Sequence, residues 1–348
     1  MKENKQLQMN PRLGKVGGQA VMEGVMMRSP KTTAIAVRRV DNGQIVVRSS
    51  DSKTVRNKYK FLNWPLIRGV VNLVEMFILS MSTLTASTEM MGIEGTVYEE
   101  EPSKLDKWLD AHFGKKMIAV ISGVSVVLGI ALALGLFVAL PAWITNLVMP
   151  EKVELNRLKC LIEGILKVAI FIAYLWLTSL IKDIRRVYQY HGAEHKSIFC
   201  YEAGLELTVE NVKKQSRFHP RCGTSFMFVM VFVSIIVSIA FIPNVWGWLR
   251  VMLKLLLLPI CVGLGYEFIR YAGKHDNKLT RILSAPGLWM QRITTREPDD
   301  SMMEVAIVSI KSALHEEFPD FDIPFESDYL AKQENQNDAD TGIQNENH

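Results

Sequence analysis

The sequence predicts a predominantly α-helical polytopic membrane protein with about four transmembrane helices. It adds a small cytoplasmic α+β part that contains a β-hairpin. Three observations carry this reading. The 348-residue chain is 49% apolar, with a mean hydropathy of +0.12. Its charges crowd into residues 1–60, 94–116, 182–221 and 270–348, leaving long runs that are nearly uncharged. Two β-branched runs flank Asn42-Gly43, a hairpin signal.

Residues 1–15 are polar and read as a disordered N-terminus without an apolar signal segment. Residues 16–65 form the cytoplasmic sheet-containing part. Within it, Gly17 to Pro30 is rich in glycine and methionine, with single charges at Glu23 and Arg28. It reads as a loop, either packing its methionines on the fold or reaching into a functional site. Thr32–Val40 and Gln44–Ser49 form the two arms of the hairpin.

Residues 66–116 are an interfacial amphipathic helix and a connector. Leu66–Ser87 is apolar but holds Arg68, Asn72 and Glu75. An ion at the bilayer centre costs roughly 2.5–3.5 kcal/mol, so this helix is expected to lie on the membrane rather than cross it.

The spans follow at 117–143, 161–181, 224–242 and 249–269. Each is long enough for a ~30 Å hydrocarbon core at about 1.5 Å per residue. Pro141 and Trp143 mark the far interface of the first. The second carries Glu163 and Lys167 four residues apart, which can pair on one helix face; an ion pathway is the competing reading. Residues 243–248 form a turn with two tryptophans. After the fourth span, 270–326 is a cytoplasmic region. In it Ala285-Pro286-Gly287-Leu288-Trp289 reads as a turn, and Glu297–Ser301 starts an amphipathic helix that packs on the fold. Residues 327–348 are an acidic, disordered tail.

Lys and Arg fix the orientation. Residues 1–65 hold thirteen and the 182–223 loop eight, whereas 144–159 holds three and 243–248 none. The positive-inside rule then places both termini and the 182–223 loop in the cytoplasm of a plasma-membrane protein. The net charge of +4 reflects this topology, and no basic segment interleaved with aromatics points to nucleic acid. The lipid bilayer is the expected partner, with a protein partner or a second copy of the chain as a further one. Four scattered cysteines suggest no disulfide framework.

The 182–223 loop carries the chemistry. His191, Glu194 and His195 read H-x-x-E-H, and on a helix these three positions share a face. Two neutral imidazoles can hold one Zn²⁺ while the carboxylate between them serves a water. The spacing is that of inverted zincins. An ordinary solvated helix with two histidines is the competing explanation. His219 and Cys222 follow in H-P-R-C-G at the same membrane face and complete the candidate metal set. Glu202 and Glu267 are further candidate ligands. Glu194 is the candidate general base, and Arg221 or Arg28 would face substrate charge. Glu23 is a further site candidate. Four protein ligands would make a closed structural site, and three would leave an open position.

The segments Gly17–Arg28, His191–Gly204, Arg217–Phe226, and A-P-G-L-W followed by T-T-R-E-P-D-D resemble the DUF1385 family of bacterial membrane proteins. The likeness covers about residues 10–320. It implies that these segments form one unit and that the protein is metal-dependent, without implying a reaction. The residues themselves support a metal-dependent hydrolase of peptidase or amidase type. The alternative is a non-enzymatic accessory or scaffold protein, with a structural metal clip or none. A small transporter is a third reading, since Glu163, Lys167 and Lys254 put ionisable groups into the spans.

Overall fold

The computed structural model describes residues 11–52, 54–57, 59–92, 123–149, 156–243, 245, 247–272 and 278–325. The acidic connector after residue 92, the start of the first span and the C-terminal tail lie outside these.

The polar N-terminal part folds into a four-stranded antiparallel meander: β1 (Gly17–Val21), β2 (Gly24–Arg28), β3 (Thr32–Arg38) and β4 (Ile45–Asp51), paired in that order. The expected hairpin is β3–β4, with Gly43 at φ 72° in its turn. The Gly/Met segment is not a loop. It forms a second hairpin, β1–β2, turning at Met22-Glu23. Glu23 there adopts φ 50°, a conformation that a residue with a side chain rarely takes. The glycines that suggested a loop permit close packing instead. A Cβ on Gly24 would lie 2.2 Å from the Ala36 carbonyl oxygen.

Side chains alternate across the pleat, and this sheet is covered on both faces. Val25, Met27, Ala34 and Ala36 join a core with Tyr190, Ala193 and Tyr201 of α4 (Lys182–Glu202) and Met302, Ala306 and Ile310 of α9 (Asp300–Ala313). Val21, Met26, Ile35 and Val37 pack on Met90 and Met91 at the end of α1 (Ile67–Met90). Helix α9 begins where the sequence signals it. Asp299 accepts from the Met302 amide as N-cap, and its apolar face enters the core.

Helix α1 is long and apolar enough to cross a membrane by length and composition. Its contacts, however, tie its first turns to α7 of the bundle and its later turns to the sheet. Gly69 meets Gly263 and Tyr266 near the C-terminal end of that helix, α7 (Gly247–Ala272), and Arg68 forms a two-pronged ion pair with Glu267 there. Further along, Glu75 accepts from Thr54 and the Val55 amide, Ser80 donates to Gln19, and Arg48 pairs with Glu89. The opposite stripe, Leu73, Val74, Phe77, Ile78, Met81 and Leu84, is exposed.

The bundle itself comprises α2 (Gly123–Val148), α3 (Asn156–Thr178), α6 (Gly223–Phe241) and α7. The chain is thus a helical membrane protein with a small antiparallel sheet. Helix α2 runs through Pro141 rather than ending near it, five residues past Trp143. A π-turn at Gly135–Ala139 absorbs the missing proline donor. Helix α3 stops at Thr178, and Ser179–Ile181 separate it from α4. Two sequence expectations change here. The Ala285–Trp289 turn is continuous helix, with Pro286 inside α8 (Lys278–Thr294). Glu163 also does not pair with Lys167 along α3. It reaches Arg250 and Lys254 of α7, while Lys167 bonds Ser234 of α6.

Candidate metal centre

The site is built on α4. Left-handed Gly204 (φ 72°) follows its C-terminus. His191 and His195 lie one turn apart with ring centroids 4.4 Å from each other. Gly192 between them lets the backbone after α8 come close: a Cβ there would sit 2.1 Å from the Arg296 carbonyl oxygen. The Arg296 amide also donates to the Tyr188 carbonyl at 2.8 Å. This approach puts the Thr294 carbonyl 2.8 Å from His191 Nδ1. A loop from the other side puts the Arg217 carbonyl 2.6 Å from His195 Nδ1. The buried Gln291 amide of α8 clamps that loop, bonding both the His219 amide and carbonyl at 2.7 Å.

A carbonyl only accepts, so each Nδ1 must carry the proton. In the neutral ring each Nε2 then holds the lone pair, which is how ligating histidines are usually oriented. His191 Nε2 lies 3.2 Å from Cys222 Sγ. His195 Nε2 is buried and makes no hydrogen bond. The ligand atoms of His191, His195 and Cys222 all fall within 4.8 Å of one another, the only such group of three or more metal-ligating side chains among the described residues. Burial, with His191 adding to it, holds His195 below the ordinary histidine range, in its neutral form.

Glu194 is buried at 4% exposure. Burial raises its pKa to about 8, opposed in part by His191. Its Oε2 makes no hydrogen bond. Strand β1 closes over it: a Cβ on Gly18 would lie 2.9 Å from Glu194 Oε1 and 2.8 Å from Met27 Sδ. The Gly/Met segment thus reaches the site as a strand. The residues fit a metal ion in donor chemistry, in tautomer and in the buried lone pair left unused.

A family model described as a protein of unknown function, DUF1385, matches residues 64–316. The chain belongs to the DUF1385 family. It is similar to the uncharacterized protein YqhQ of Bacillus subtilis (strain 168), 34% identical over 301 residues that cover 86% of this chain and 92% of the relative. No solved structure matches.

The other candidates in this DUF1385 chain lie outside the triad, and of them His219 keeps a buried Nε2 without a hydrogen bond. The His219 ring stands 5.5 Å from that of His195, outside the group of three. Its Nδ1 accepts from the Arg221 amide at 3.3 Å. Its Nε2 is 3.6 Å from Glu202 Oε2, too long for a hydrogen bond. Glu202 accepts from the Gly14 amide and is paired with Arg221. Burial opposes its ionisation, but the Gly14 amide and Arg221 hold its pKa below the ordinary value. Glu202 and Arg221 therefore form a structural pair. Glu23 is held by Arg186 and Tyr190. Arg28 follows Met27 on its strand, so it points to the other face, towards Met76 of α1. Glu267 belongs to Arg68. Sequence reasoning missed Gln291, Gly192 and the two orienting carbonyls. Thr294 lies within the T-T-R-E-P-D-D segment, which was a signal for one of them.

Proposed function

We propose that this protein holds one Zn²⁺ on His191, His195 and Cys222 at the cytoplasmic face of the plasma membrane, and acts as a hydrolase of amide bonds. The observation that carries this is the convergence of two carbonyl-oriented imidazoles on one cysteine sulfur, beside a buried carboxylate with an unused oxygen. A three-ligand zinc would supply a Lewis acid with an open position and lower the pKa of a water. Glu194 accepts the proton at Oε2, the buried carboxylate oxygen that no hydrogen bond occupies. Arg221 and Arg28 are not given a substrate role, since their side chains are engaged away from the triad. The cytoplasmic side follows from the Lys/Arg bias, and α1 lies in the membrane plane with its exposed stripe in lipid.

Elemental analysis of protein purified in detergent tests the metal. One zinc per chain is expected, falling to near zero in His191→Ala and Cys222→Ser. Wild-type protein without stoichiometric metal ends the reading. Glu194→Gln tests the chemistry: it keeps its zinc and loses hydrolysis across a panel of peptide and N-acyl amides. A purely structural clip is favoured by one feature, the tight closure of Gly18 and Met27 over Glu194. In that case Glu194→Gln is silent, whereas the ligand variants lower stability.

A further inference from the structure

The bundle holds a second polar cluster, at the opposite end of the membrane-spanning helices from the metal centre. Arg250 is fully buried and donates to Glu163 Oε1 at 2.8 Å and to Asn156 Oδ1 at 2.9 Å. Lys254 takes the other Glu163 oxygen. Both carboxylate oxygens are therefore committed. Lys167, one turn deeper on α3, reaches only a hydroxyl, Ser234 Oγ at 3.2 Å. That hydroxyl gives its own proton to the Val231 carbonyl.

Among the described residues the charges do not balance: Arg250, Lys254 and Lys167 face a single carboxylate. Across α2, α3, α6 and α7 the only other acid is Glu267. It is thirteen residues beyond Lys254, about 20 Å along the helix, and is bound to Arg68. Uncompensated charge inside a bilayer is costly and is normally paired. At this place the helices leave a cavity of about 10 Å³, lined by Lys167, Lys254, Glu163, Ser234, Ser238 and Cys160. That space admits one small particle such as a water or a monatomic ion. The ammonium donors not used by Glu163 or Ser234 belong to the two lysines that line it.

We propose that this cavity binds a single monatomic anion of chloride size, held by Lys167 and Lys254. The ion supplies the missing negative charge, and the excess cation selects it over a neutral water. The site is independent of the metal centre.

Thermal unfolding of the purified protein, with sodium gluconate replaced stepwise by chloride or bromide at constant ionic strength, reads the site directly. Fixed ionic strength keeps general screening constant. A ligand of the folded state raises the melting temperature saturably. Saturable stabilisation by both halides is expected, with at least a tenfold weaker response in Lys167→Met and a retained one in Lys167→Arg. Identical curves in gluconate and halide, or a halide response unchanged in Lys167→Met, would overturn the proposal. So would stabilisation by inorganic phosphate or anionic phospholipid alone. Should Lys167→Met fail to fold, chloride-35 NMR line broadening on wild-type protein decides: a saturable component displaced by bromide is expected, and its absence sinks the idea.

Discussion

Two glycines show how little room the candidate centre leaves. Gly192→Ala would drive a methyl into the Arg296 carbonyl, 2.1 Å away. Backbone cannot swing aside as a side chain can, so α4 and the segment after α8 must separate. A loss of about 3 kcal/mol is expected, together with weaker metal retention, because Thr294 then leaves His191. Gly18→Ala meets the Met27 sulfur and the Glu194 carboxylate instead, both ends of flexible chains. Its cost should be nearer 1 kcal/mol, with zinc retained. Denaturant unfolding of the two variants beside elemental analysis checks the ranking; equal losses would contradict the packing argument. The same residues show where sequence reasoning stops. His191, Glu194 and His195 were legible because a helix puts i, i+3 and i+4 on one face. Cys222 was legible because the topology returned it to that face. His219 was included with it by proximity in sequence, but the turn Pro220-Arg221 aims the two side chains differently. The Thr294 and Arg217 carbonyls are backbone atoms, which leave no trace in residue identity.

Among the elements, α1 is where composition and contacts point apart. By hydropathy it qualifies as a span. Its N-terminal end nevertheless meets the C-terminal end of α7, and its later turns lie against the sheet. The charged positions Arg68 and Glu75, which argued against a span, are the ones that make these contacts. An in-plane helix would hold Phe77 and Leu84 at the same shallow depth, although they are two turns, about 10 Å, apart. A fluorescent unnatural residue at each position, quenched by lipids carrying nitroxides at known depths, measures this. Depths differing by most of that distance would mean that α1 crosses. The sheet was half legible for a related reason. β3 and β4 alternate and turn at Asn-Gly, the ordinary hairpin signal. β1 and β2 hide because Gly17, Gly18 and Gly24 carry low strand propensity. They persist because both sheet faces are covered, and close packing at Gly18 and Gly24 excludes larger residues.

For the molecule as a whole, the triad is a joint. His191 and His195 belong to α4, which packs with the sheet and α9. Cys222 sits at the start of α6, which packs among the membrane helices. His191 is also bound to the end of α8. A metal there would tie the sheet-bearing part to the bundle through three side chains. Other links cross here as well: the Arg296 amide to the Tyr188 carbonyl, the Arg217 carbonyl to the His195 ring, and the Glu202–Arg221 pair. Stripping the metal with a chelator should therefore loosen the connection locally, without unfolding either part. The end of α5 (Val209–Lys213) and the loop from it to α6 carry Lys213, Lys214, Arg217 and Arg221 and report on that loosening. Limited trypsinolysis should cut it several-fold faster in chelated protein and in Cys222→Ser, with protection restored by added zinc only in the chelated wild type. Glu194→Gln should cut at the wild-type rate, since the carboxylate is not a ligand. An equal cutting rate with and without metal would mean that the three side chains do not join the two parts. Faster cutting in Glu194→Gln would move that carboxylate from proton acceptor to ligand.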